Sequence, residues 1–165
     1  MSDTEQRNDV EALLQKASQA ASARNLEEAE RYLMPVLDKV PNHVKALDLL
    51  GFVRFFQKRY PECEQLCRRV LDLEPGRAYA LNGLGMALAR QGRLEEGLEI
   101  IHTAMEKSPT WTEPYWDAAV LLIGAKDYLR ARAVLDQGLQ NAPKGTARFQ
   151  KLLAKIDALD GTEDS

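Results

Sequence analysis

Cys63 and Cys67 are the only cysteines of the 165-residue chain, and they stand four apart on what reads as a single helix. Two thiols at that spacing share a helix face and are the natural start of a metal or redox site. A structural zinc needs four ligands, so the two histidines, His43 and His102, would have to converge on that helix from other parts of the chain. Each is isolated in the sequence. Both cysteines instead fall in columns where a small apolar side chain is wanted, so they are read as reduced, unmetallated core thiols. No other grouping carries chemistry: there is no G-x-S-x-G, no phosphate-cradling glycine loop, and no His-x-Glu or paired-cysteine metal motif. The expectation is a protein that is not an enzyme, with no catalytic residues, no metal and no cofactor.

Composition narrows the partners. The net charge is −3, and 45% apolar content with 28% charge suits one packed domain with a soluble exterior. Binding a phosphate backbone relies on clustered lysine and arginine. Here the longest basic runs, Arg68-Arg69 and Lys58-Arg59, are bounded by acids, so no nucleic acid is expected. No apolar stretch approaches the ~20 residues of a membrane span, and the opening MSDTEQRND has neither a positive nor an apolar leader region. The sequence thus reads as cytoplasmic and not as an integral membrane protein.

The elements that position these residues are set by a repeat. Pro41, Pro75, Pro109 and Pro143 lie 34 residues apart. With proline at position 32, the units run 10–43, 44–77, 78–111 and 112–145, after a mobile N-terminus at 1–9. Position 8 reads Ala17, Gly51, Gly85, Ala119 and position 20 reads Ala29, Cys63, Gly97, Ala131, which are small residues where two helices must approach closely. Positions 4 and 24 are the bulky complement: Leu13, Leu47, Leu81, Tyr115 and Leu33, Cys67, Ile101, Leu135. This period and pattern signal a helix-turn-helix solenoid, with helix A near positions 2–14 and helix B near 16–30. Pro61 falls in the first turn of a B helix, where its missing N–H has no partner to lose. Pro35 falls deep in one, where it costs ~3 kcal/mol and predicts a kink.

Residues 10–145 resemble the tetratricopeptide repeat family. Unit 3 carries the resemblance best, through Leu84, Gly85, Gly92, Gly97, Ala104 and Pro109. The departures are Arg54 for an aromatic at position 11, a turn glycine that survives only as Gly92, and Gly138 for alanine in unit 4. The resemblance implies an all-α fold, an α-solenoid wound as a right-handed superhelix. A solenoid leaves its last repeat open, and residues 146–160 are expected to form a capping helix over it. There Phe149, Leu152, Leu153, Ile156 and Leu159 recur at helical spacing. Residues 161–165 are expected to be a mobile tail.

The same resemblance implies a concave binding groove lined by helix A. Carrying the family's groove columns over gives Leu49, Phe52, Phe55, Phe56, Tyr79, Asn82, Met86, Arg90, Trp116, Val120 and Ile123, with Asp48, Glu113 and Asp117 as charged neighbours. Asn82 is the best polar candidate, since a side-chain amide can donate and accept at once. The lysine, arginine and asparagine clamp with which co-chaperone members hold a C-terminal carboxylate is missing. The pair Phe52 and Phe56 share one helical face, and exposing both would forgo ~3–6 kcal/mol, so something is expected to cover them. The reading is an adaptor or chaperone that binds another protein, through an apolar peptide segment or amphipathic helix. Two alternatives stand beside it: a dedicated bacterial secretion chaperone of type III character, which size and groove character support, and a self-assembling scaffold module that pairs as a homodimer.

Overall fold

The computed structural model describes residues 3–142 and 147–163, with side chains over 8–142 and 147–159. Its described elements are helices, in the order α1 (Asp3–Ser22), α2 (Leu26–Lys39), α3 (Val44–Phe56), α4 (Tyr60–Leu73), α5 (Ala78–Arg90), α6 (Leu94–Lys107), α7 (Glu113–Gly124), α8 (Tyr128–Asn141) and α9 (Ala147–Glu163). The even-numbered B helices start at Leu26, Tyr60, Leu94 and Tyr128, so the 34-residue period of the sequence is the period of the fold. The A helices pack on their own B helices and on the B helix before, and α1, α3, α5 and α7 also touch in succession. The A layer therefore lines the inner side of the stack. This is an all-α helical-repeat solenoid.

Small residues set the spacing. Ala17, Ala29, Ala119 and Ala131 are fully buried. In unit 3 a Cβ on Gly85 would stand 2.5 Å from the Gly97 carbonyl oxygen and 2.5 Å from Cγ1 of Ile101, so α5 and α6 approach as closely as backbones allow.

All four A-to-B turns use one hydrogen-bond pattern. The N–H at position 15 donates to the carbonyl at position 12, and that at position 16 donates to position 11; in unit 2 these are Lys58 to Phe55 and Arg59 to Arg54, at 2.9 and 2.8 Å. This double closure needs a left-handed residue at position 15. Gly92 supplies it at φ 86°, whereas Arg24, Lys58 and Lys126 adopt φ of 61°, 62° and 63° at a steric cost of roughly 1–2 kcal/mol each.

The ends differ from the boundaries expected of the sequence. Helix α1 begins at Asp3, ahead of Val10, because no proline or glycine interrupts Asp3–Asp9. Helix α9 continues to Glu163, past Asp160, since a single glycine weakens a helix by about 1 kcal/mol without ending it. Pro143 and Thr146 lie outside the described residues. Pro35 sits inside α2, which stays helical through it to Lys39.

Two departures from the repeat pattern have a structural reason. Arg54, at an apolar position, is buried, and its guanidinium donates to both oxygens of Glu30 at 2.5 and 2.6 Å and to Gln57 at 2.8 Å, with Glu62 3.1 Å from its Nε. Three helices are thereby tied together. The Arg54 guanidinium holds the Glu30 carboxyl down at about 2. Gly138 is the slot for Phe149: a Cβ there would lie 2.5 Å from that ring. Phe149 and Ile156 of α9 are fully buried and Leu152 nearly so, in one cluster with Tyr115, Leu122 and Leu135. Side chains of this size contribute roughly 1.5–3 kcal/mol each when buried.

Candidate functional site

Successive A helices place their side chains along a continuous hollow with two connected parts. A cavity of about 390 Å³ opens on α3, α5 and α7, and one of about 530 Å³ lies between α1, α3 and the start of α5. Asp48, Phe52 and Tyr79 line both.

Of the residues expected in the groove, Phe52, Phe55, Phe56, Tyr79, Asn82, Met86, Arg90, Trp116 and Val120 line the first cavity, and Leu49 joins Phe52 and Tyr79 in the second. Ile123 lines neither; it packs against the core cluster around Leu121 and Leu122. Met86 lines the cavity from within the core, because it is only 9% exposed and clusters with Ile101, Met105 and Tyr115. Phe55 likewise packs on two core clusters while one side reaches the cavity. Phe56 and Tyr79 are the more open aromatics, and Tyr79 stacks on Trp111 with ring centroids 6.0 Å apart.

The expected cover over the phenylalanine pair comes in part from the chain itself. The Arg24 guanidinium lies 3.5 Å from the Phe56 ring centroid and 5.4 Å from that of Phe52, and the two rings are 4.6 Å apart. A cation over two aromatic faces gains ~0.5–2 kcal/mol. This offsets much of the strain in Arg24's left-handed backbone. The groove columns do not contain Arg24; its one signal in the sequence is its place in the turn column, where the family carries glycine.

Cys63 and Cys67 face the cavity floor and are buried. The neighbouring Cys63 thiol and burial together push the Cys67 thiol up, so it stays protonated and unreactive at neutral pH. His43 does not approach them. Its Nδ1 accepts from the Ala46 N–H at 3.4 Å and caps α3, while His102 lies on the surface 3.6 Å from Glu106. Among the described residues no group of three or more His, Cys, Asp or Glu is placed to hold a metal.

Two acids sit inside the apolar lining. Burial pushes the Asp48 carboxyl up, and Arg77, whose Nε donates to it at 2.7 Å, opposes this. Burial also pushes Asp117 up, against the Asn82 amide that donates to it at 2.7 Å. Asn82 therefore does not have all of its functions to offer. One N–H of its amide is committed to Asp117, and nothing among the described residues donates to its carbonyl oxygen. Among the described residues, no helix is long and apolar enough to cross a membrane.

Comparison with known proteins places this geometry. The tetratricopeptide repeat model matches residues 88–156. A thermophilic TPR protein of Thermus thermophilus superposes with a TM-score of 0.80 at 18% identity, over 94% of this chain and 84% of that one. The O-GlcNAc transferase of Thermobaculum terrenum, a mutant structure, gives 0.76 at 27% identity over 85% of this chain, which spans only 27% of that enzyme. The TPR2B domain of yeast Sti1, solved as a complex with pHsp70, gives 0.61 at 21% identity over 70% of this chain and 97% of that domain. Comparison with curated proteins found no match. A 34-residue helical period, one turn pattern used four times and a concave face built by alternate helices make the chain a helical-repeat solenoid, similar over residues 88–156 to the tetratricopeptide repeat family.

Proposed function

We propose that the protein is a non-enzymatic adaptor or chaperone that holds an apolar segment, extended or as an amphipathic helix, of a partner protein in its concave groove. The observation that carries this reading is the Phe52–Phe56 pair beside a 390 Å³ cavity, apolar for most of its lining and open on the A-helix side. Arg24 crosses this pair and leaves Phe56 38% exposed. Apolar surface of that kind on an inner face is what a bound helix or strand buries. The TPR2B domain of yeast Sti1, solved as a complex with pHsp70, supports the binding of another protein as a use of this architecture.

The test is Phe52→Asp. Phe52 is half-buried at the groove, so the new carboxylate keeps access to water and the melting temperature is expected to fall by no more than a few degrees. Proteins retained by the wild-type chain from native lysate should be lost. A folded variant that retains the same proteins would sink the reading. A wild-type dimer that survives dilution and becomes a monomer on Phe52→Asp would replace it with self-assembly. Met86→Asp is the contrasting control: it places an unpaired charge in the core cluster and is expected to unfold the protein.

A further inference from the structure

Two acceptors stand side by side in the middle of the groove. Asn82 is 8% exposed, and its amide orientation is fixed by donation to the Asp117 carboxylate, which cannot donate in return. Its Oδ1 is buried at the cavity wall, and among the described residues nothing donates to it. A buried carbonyl oxygen left without a donor costs ~1–3 kcal/mol, so a native structure that keeps one invites an explanation. Asp117 lines the same cavity alongside it.

Two cations stand near Asp117, Arg148 and Arg90, and both pull its carboxyl down, but by less than burial pushes it up. The Arg148 guanidinium donates to Glu113 at 3.2 Å and to Thr112 at 3.1 Å while lying over Trp116. Arg90 lines the cavity from the exposed end of α5. An apolar segment laid over this point would strip water from a full negative charge and from an orphan acceptor together, a large penalty unless the segment brings a donor. A segment ending in a carboxylate would be repelled.

We propose that Asn82 Oδ1 and the Asp117 carboxylate form an acceptor-only subsite that takes a lysine or arginine side chain of the bound segment, set between the apolar residues that occupy the Phe52–Met86–Trp116 lining. The inference rests on the peptide-binding reading of the groove. It deepens that reading by naming what the segment must carry. The ammonium or guanidinium satisfies the orphan oxygen and neutralises the carboxylate at once, and a neutral backbone N–H does only the first. The burial that pushes the Asp117 carboxyl up is also the burial that a cation offsets.

The probe is a displayed library of random dodecapeptides, selected on the full chain and counter-selected on Phe52→Asp. Enriched peptides are expected to carry one lysine or arginine at a fixed place between apolar residues. Replacing that lysine by norleucine keeps the methylene stem and removes the charge. A peptide selected with arginine is first remade with lysine. The norleucine change should weaken binding about tenfold in wild-type protein and less than twofold in Asp117→Asn, as read by fluorescence anisotropy. If Asp117→Asn melts early, Asn82→Leu takes its place, since it removes the orphan acceptor. Peptides enriched without a basic residue, or an equal norleucine loss in wild type and variant, would overturn the subsite and leave the groove reading standing. Enrichment of no peptide on either protein would bring down both.

Discussion

Units 2 and 3 pair helices of the same lengths at the same spacing, and they close the pair by different physics. In unit 3 backbone meets backbone, Gly85 on Gly97, with Leu88 fully buried beside them at position 11. In unit 2 Gly51 faces the softer sulfur of Cys67, whose Sγ lies 3.7 Å from where a Cβ would stand, and position 11 holds Arg54. That arginine is buried only because Glu30 comes from the unit before and Glu62 from its own B helix. Unit 3 is held by shape, which acid does not alter. Unit 2 is held partly by charge, which acid removes.

Four substitutions probe this contrast. The largest effect is expected of Gly85→Ala, where the new methyl group meets a carbonyl oxygen that cannot move aside; a loss of about 3 kcal/mol in a denaturant melt would confirm closure by shape. A loss under about 0.5 kcal/mol would show that α5 and α6 can separate freely. Next is Arg54→Leu, which restores the residue type of Leu88 and Leu122 but strands Glu30. Because Glu30 and Glu62 are 28% and 44% exposed and can turn to water, the cost is put at about 2 kcal/mol, below that of a fully buried pair.

The pH dependence of that variant sharpens the point. Glu30 has its folded pKa lowered to about 2 from 4.5, so its stabilisation is fully present above pH 4.5 and is lost as pH falls towards 2. The gap between wild type and Arg54→Leu should accordingly narrow across that window. A constant gap would remove Glu30 from the account. Gly51→Ala is the mirror of the first test, since its Cβ makes ordinary contacts and a helix gains from alanine: an increase of roughly 0.5–1 kcal/mol is expected. Smallest is Lys58→Gly, which relieves the left-handed strain and adds glycine's entropy cost, for a net gain of about 0.5 kcal/mol on thermal melting.

The fold was legible because the repeat is self-referential: each column is tested four times by one chain, and the columns of small residues fix where helices touch. What escaped was what occurs once. Arg54, Arg24 and Gly138 break their columns, and from the sequence they read only as weakened repeats. In the structure they are a tie between three helices, a cation over the Phe52–Phe56 rings and a slot for Phe149. Their partners lie in other units or on α9, at separations that periodicity does not encode. Most residues of the groove columns line the cavity, since helix-face geometry is local. Ile123, at the far end of the last A helix, packs on the core cluster and lines neither cavity. The state of Asn82 escaped for a similar reason: its partner Asp117 is 35 residues away, one period plus one.

The turn that carries Arg24 has a bearing on how such an array can be cut and rejoined. The side chain belongs to the first unit, whereas the rings beneath it belong to the second. A recombination event or a designed truncation that respects unit boundaries would thus split one surface between two fragments. The aromatic pair would be left without its cation. The boundary of this surface is displaced from the boundary between units by the length of one B helix and its turns, so a cut that keeps the surface whole must keep Arg24 with unit 2.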